Sequence, residues 1–167
     1  MPISTMPSAI DRQTRKHYGA IGKVAVEWTR FESYLAETVR MLAGVDNKYG
    51  ECITAQIINV DQLLDALSAL VDLRSPGAAD ELQFKKRLER IQSIAERRDQ
   101  VVHDVWTFDP GTTTRWPSTV RKRYSPGPVN MPTSEVEALA VDVENLSVEF
   151  LTFRREFLML LHLWPGQ

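Results

Sequence analysis

The strongest constraint on this chain is the spacing of its apolar residues. Four long segments repeat hydrophobic side chains at alternating steps of three and four, the signature of helices with one buried face. In the first, Ile21, Val24, Trp28, Phe31, Leu35 and Leu42 share a stripe in which Thr38 occupies the missing place, predicting a helix from about Asp11 to Ala43. The second carries Ile53, Ile57, Val60, Leu64, Leu67 and Val71 after the turn-like GVDNKYG, Gly44 to Gly50. It stops at RSPG, Arg74 to Gly77, where proline disfavours helix in the residue before it. The third begins near Asp80 and reads Phe84, Leu88, Ile91, Ala95, then Arg98, then Val102. The fourth follows an extended approach at Pro132 and a Ser134/Glu137 capping box. Its stripe is Val136, Leu139, Val143, Leu146, Phe150, Phe153, Phe157 and Leu160.

Four such stripes must bury against one another. The expected fold is all-α: an antiparallel four-to-five-helix bundle with a small β-hairpin or extended insert between the third and fourth long helices. At 167 residues the chain reads as a single domain, 1–167, with residues 1–10 as a flexible N-terminal segment and 104–132 as the insert. It shows no repeat period and no low-complexity tract.

Composition excludes several classes. The most apolar tract, Phe150 to Trp164, is interrupted by Arg154, Arg155 and Glu156, so no segment reads as a membrane span. The lone Cys52 and the absence of a charged-then-apolar leader suggest a reducing, cytoplasmic setting. A formal charge of -2 argues against an indiscriminate nucleic-acid coat, so any RNA contact must be local. His17, His103 and His162 fall on separate helices and Cys52 lacks a companion at ligand spacing, so neither a metal site nor a cofactor is expected.

Arg98 breaks the third stripe. A guanidinium stays charged at any ordinary pH, so in a core position it needs acceptors or a wet cavity. Glu27 and Glu32 flank the stripe of the first helix, and Glu32 is the preferred partner. His103 lies five residues on, roughly 140° around a straight helix from Arg98, whereas Asp99 and Glu96 share its face. Arginine and histidine meet only if the helix ends or distorts near His103, or if two copies pair about a two-fold axis. On the acid-lined face Asp99 fixes the imidazole, making His103 a proton shuttle near neutral pH.

Arg98-x4-His103, with a polar residue after the arginine and a tryptophan beyond, resembles the signature of the HEPN superfamily. The first-helix stretch of Trp28, Phe31, Glu32 and Leu35, the insert after the histidine and the long final helix resemble it as well. The resemblance implies a helical bundle that homodimerises around a shared cleft, many members being metal-independent ribonucleases of toxin-antitoxin, phage-defence or RNA-processing systems. Carried over, Arg98, Asp99 and His103 are the catalytic candidates, with Glu32, Glu96, Arg97 and Trp106 in support. Two departures stand out: Asp99 where relatives often carry asparagine, and Asp104 where they often carry glycine. Some toxin members have a tyrosine two places after the histidine that a nucleotidyltransferase partner modifies; here that place is Val105.

The insert offers a second contact. VWTFDPGTTTRW, Val105 to Trp116, reads as a hairpin turning at Asp109, Pro110 and Gly111, and RKRY, Arg121 to Tyr124, follows it. Basic residues among aromatics can hold single-stranded RNA, which makes Arg115, Arg121, Lys122 and Arg123 the candidates. Each feature also has an architectural reading: Arg98 as a pin between helices, His103 as a helix terminator, the basic loop as a solvated turn. Two functions follow. One is a dimeric endoribonuclease with an antitoxin or nucleotidyltransferase partner; the other is a catalytically silent HEPN-like module that binds a protein or nucleotide.

Overall fold

The computed structural model describes residues 8–57, 59–117 and 127–162. The chain is mostly helical, with α1 (Ala9–Ala43), α2 (Asn47–Thr54), α3 (Val60–Arg74), α4 (Leu82–His103) and α5 (Thr133–Leu160). A short 3-10 turn, Ala78–Asp80, leads into α4. Between α4 and α5 lies a three-stranded antiparallel sheet, β1 (Val105–Asp109), β2 (Thr112–Trp116) and β3 (Val129–Asn130). Among the described residues no helix is long and apolar enough to cross a membrane.

Helix α1 starts earlier than its stripe. The Ser8 hydroxyl accepts the Asp11 N–H at 3.0 Å while the Asp11 carboxylate accepts the Ser8 N–H at 2.9 Å, a reciprocal capping box. Residues 9 and 10, expected in a flexible segment, are therefore helical; residues 1–7 lie outside the described residues. The helix ends at Gly44, whose left-handed φ of 68° is open to glycine without a Cβ penalty.

The second expected helix is two helices. Asp46 caps α2 by accepting the Lys48 N–H at 2.9 Å, and Asn59 caps α3 by accepting the Gln62 N–H at 2.9 Å. Four of the seven residues of the expected turn, Asn47 to Gly50, are thus helical, and Ile53 is exposed rather than part of the core. The Ser134/Glu137 capping box does not form either. Helix α5 begins at Thr133, with extended Pro132 as its N-cap and no side-chain cap bond.

Splitting that helix changes the packing directions. Helix α2 runs back alongside the end of α1, where Arg40 Nη1 donates to Thr54 Oγ1 at 3.0 Å. Helix α3 then runs parallel to α1, and its last residue donates from Arg74 Nε to the Leu42 carbonyl at 2.8 Å. Helix α1 packs most extensively on α5. Lys16 pairs with Glu137 at 3.1 Å and Lys23 with Glu144 at 2.8 Å, so these two run parallel, against the expectation of antiparallel neighbours. Helix α4 is antiparallel to α5, joined by Arg90–Glu149 and Arg97–Asp142, each at 2.7 Å.

The core lies where the stripes meet. Val24, Trp28, Phe31 and Leu35 of α1 are buried with Leu64, Leu67 and Val71 of α3, Phe84 and Ile91 of α4, and Val136 to Phe150 of the α5 stripe. Two stripe ends shift by one or two places. Val101, not Val102, is fully buried at the end of α4, and Leu158 is buried where Leu160 is 70% exposed.

The hairpin forms where alternation placed it. Trp106 lies opposite Arg115, Val105 opposite Trp116, and Gly111 takes a left-handed φ of 78° at the turn. Its tip is clamped to α1 by Gln13, whose amide donates to the Thr112 carbonyl at 3.0 Å and accepts the Gly111 N–H at 3.3 Å. Its inner aromatics close on buried His17, with ring centroids 4.3 Å away for Trp106 and 5.4 Å for Phe108.

Candidate functional site

Helix α4 ends at His103, and Asp104 leaves it in an extended conformation with φ -79° and ψ 160°. That termination exposes the imidazole. Arg98 reaches along the last turn, so its Nη1 donates to Asp99 Oδ1 at 2.9 Å and stands 3.4 Å from His103 Nε2. The angular divergence of a straight helix is overcome within one chain, by the helix end and the length of the arginine side chain. Because a guanidinium only donates, this contact is a hydrogen bond only in the tautomer whose Nε2 carries no proton.

Arg98 is largely buried, its side chain 20% exposed. Its Nε is buried without a hydrogen-bond partner among the described residues. The expected acceptor was Glu32; the structure instead supplies Asp99, the next residue along, while Glu32 lines a separate cleft between α1, α2 and α3. The reason is register: Arg98 sits about one and a half turns before the end of α4, and its side chain reaches toward the helix terminus.

The other candidates divide. Arg97 crosses to Asp142 on the exposed side of α4, and Glu96 is exposed. Trp106 packs inward, its indole N–H donating to the Val101 carbonyl at 3.0 Å and so satisfying one of the carbonyls that a helix end leaves open. Arg115 does not face solvent. It pairs with Asp104 at 2.9 Å, the two side chains only 12% and 5% exposed. Arg121, Lys122 and Arg123 lie outside the described residues.

Two members of this neighbourhood escaped the sequence reading. The Asp104–Arg115 pair was open to inference, because Asp104, Trp106 and Phe108 alternate onto one side of β1 and Arg115 lies opposite Trp106. His17 gave no such signal. It is fully buried, its Nδ1 lies 3.0 Å from Thr133 Oγ1, and its Nε2 lacks a partner among the described residues. Burial holds its pKa below the ordinary histidine value.

The result is an exposed imidazole with a guanidinium at its side, flanked by carboxylates that are already engaged. Asp99 is paired with Arg98, and Asp104 is turned inward onto Arg115. Such a pair can accept a proton at one atom and stabilise developing negative charge at another. Comparison with protein-family models, with curated proteins and with solved structures returns no match for this chain.

Proposed function

We propose that the protein is a HEPN-type endoribonuclease whose helical core is a bundle of α1, α3, α4 and α5, working as a homodimer with Arg98 and His103 in a shared cleft. The observation that carries this reading is the 3.4 Å approach of Arg98 Nη1 to the exposed His103 Nε2 at the end of α4. Neutralisation of Asp99 and Asp104 by neighbouring arginines supports it, because free carboxylates beside the imidazole would repel a phosphate backbone.

In this mechanism His103 takes the proton from an RNA 2′-hydroxyl, and O2′ attacks the adjacent phosphorus. Arg98 stabilises the charge growing on the non-bridging oxygens. The P–O5′ bond breaks, leaving a 2′,3′-cyclic phosphate and a 5′-hydroxyl that takes its proton from water. A toxin-antitoxin, phage-defence or RNA-processing role in the cytoplasm fits this chemistry, with an antitoxin or nucleotidyltransferase as partner. Val105 stands where tyrosine modification would act, which favours regulation by protein binding over covalent modification.

The test is cleavage of a mixed RNA pool by purified protein in the presence of a chelator, comparing wild type with Arg98→Ala and His103→Ala. The expected result is cleavage by wild type that both substitutions abolish while circular dichroism stays unchanged. Absence of cleavage by wild type, with a lowered melting temperature in the variants, would instead favour a catalytically silent module that binds a protein or nucleotide. The engagement of Arg98 with Asp99 is the observation on which that second reading rests.

A further inference from the structure

Away from the α4 terminus, α1, α2 and the start of α3 surround a cleft of about 480 Å³, within the size range of small-molecule sites. Its lining includes Glu32, Ala36 and Arg40 of α1, Glu51 and Thr54 of α2, and Leu63 of α3.

Arg40 is held in place on one wall. Its stem lies so close to α2 that a Cβ on residue 50 would come within 2.6 Å of Arg40 Cδ, so Gly50 makes room for it. Its Nη1 donates to the buried Thr54 hydroxyl at 3.0 Å, and that hydroxyl donates in turn to the Gly50 carbonyl at 3.0 Å. Arg40 Nε is buried and has no hydrogen-bond partner among the described residues. A guanidinium carries five N–H groups and a permanent charge; with Nε covered by protein and one Nη1 hydrogen given to Thr54, the remaining Nη hydrogens are those left for an anionic or carbonyl group.

The opposite charge lines the same cleft. Among the described residues neither the Glu32 nor the Glu51 carboxylate takes a hydrogen bond or ion pair within the chain. Two glutamates and one arginine give the charged lining a net -1, while Ala36 and Leu63 add apolar surface. Two carboxylates beside one guanidinium repel a phosphate ester and favour a ligand with more positive than negative groups.

We propose that this cleft binds a small basic zwitterion of the lysine or arginine type. The ligand carboxylate pairs with Arg40, its cationic groups with Glu32 and Glu51, and its aliphatic chain covers Ala36 and Leu63. This inference is independent of the ribonuclease reading, since none of these residues belongs to the Arg98–His103 site.

The test is calorimetric titration of the full chain with L-lysine, with cadaverine, which lacks the carboxylate, and with L-norleucine, which lacks the side-chain ammonium. Saturable lysine binding is expected, weakened about tenfold or more for either analogue and for Glu32→Gln. No saturable binding up to about 10 mM lysine would overturn the proposal, as would equal binding of cadaverine or norleucine, or unchanged affinity in folded Glu32→Gln. The analogue comparisons use the unaltered protein, so the outcome does not depend on a variant folding.

Discussion

Removing the Asp104 carboxylate should damage the protein far more than its place at the rim of the histidine motif suggests. Its side chain is 5% exposed and pairs at 2.9 Å with Arg115, itself 12% exposed, whose Nε already lacks a hydrogen-bond partner among the described residues. In Asp104→Ala the guanidinium loses its paired charge while still covered by the hairpin. Breaking one side of such a buried pair costs about 3–5 kcal/mol. For a domain of this size each kcal/mol moves the melting temperature by about 2–4 °C, so the expected drop is roughly 6–20 °C. Replacing both residues, Asp104→Ala with Arg115→Ala, leaves no orphaned charge. The double variant should therefore lose clearly less than the sum of the single losses. Urea denaturation followed by circular dichroism measures all four proteins. A single-variant loss below about 1 kcal/mol, or strict additivity in the double variant, would refute the reasoning and reassign the pair to the solvated surface.

His17 sets a pH dependence. Its folded pKa lies below the ordinary 6.5 because burial disfavours the charged ring, so below that value the unfolded chain binds the extra proton first. Its contribution is complete above about 6.5 and is lost as the pH falls from there toward the folded pKa. Comparing urea midpoints on either side of this value should show a smaller acid loss in His17→Phe than in wild type; equal losses would assign the acid sensitivity elsewhere. Gly50→Ala places a Cβ 2.6 Å from Arg40 Cδ and should cost about 1–3 kcal/mol in a thermal melt; a neutral result would show that Arg40 moves aside easily. The end of the α5 stripe is tested by a contrast: Leu158→Ala, fully buried, should cost about 2–5 kcal/mol, and Leu160→Ala about 0.5 or less. The reverse ranking would restore the stripe to the register its spacing suggested.

Long, strongly periodic elements were readable because each repeats one physical demand many times. Helices α1, α4 and α5 follow their stripes to within a few residues, and the 105–116 hairpin follows from alternation plus a Pro-Gly turn. The α2–α3 boundary was concealed, because Ile53 and Ile57 continue the spacing of Val60 and Leu64 across the break. The overriding signal is polar. Asp46 and Asn59 each offer a side-chain oxygen that a helix start needs more than the stripe needs continuity. That break reverses the direction of everything after it, so the parallel packing of α1 on α5 was hidden from any reading that counted the second segment as one helix.

Arg98 shows the same boundary between what sequence spacing can and cannot settle. The stripe identifies it as anomalous, and elementary electrostatics requires an acceptor, so the need was legible from composition and period alone. The choice of partner was not, because pairing Arg98 with Glu32, which follows Trp28 and Phe31, depends on how two helices slide past each other, a tertiary register that no local pattern encodes. Asp99 supplies the acceptor from the next position, and the end of α4 five residues later brings His103 into reach of the same guanidinium. Both are local consequences of where the helix stops. The stop itself is marked by the strand alternation that begins at Val105 and draws Asp104 inward onto Arg115. The Arg98–His103 geometry therefore depends on the hairpin that follows it. Loosening Asp104 or Trp106 is expected to disturb that geometry.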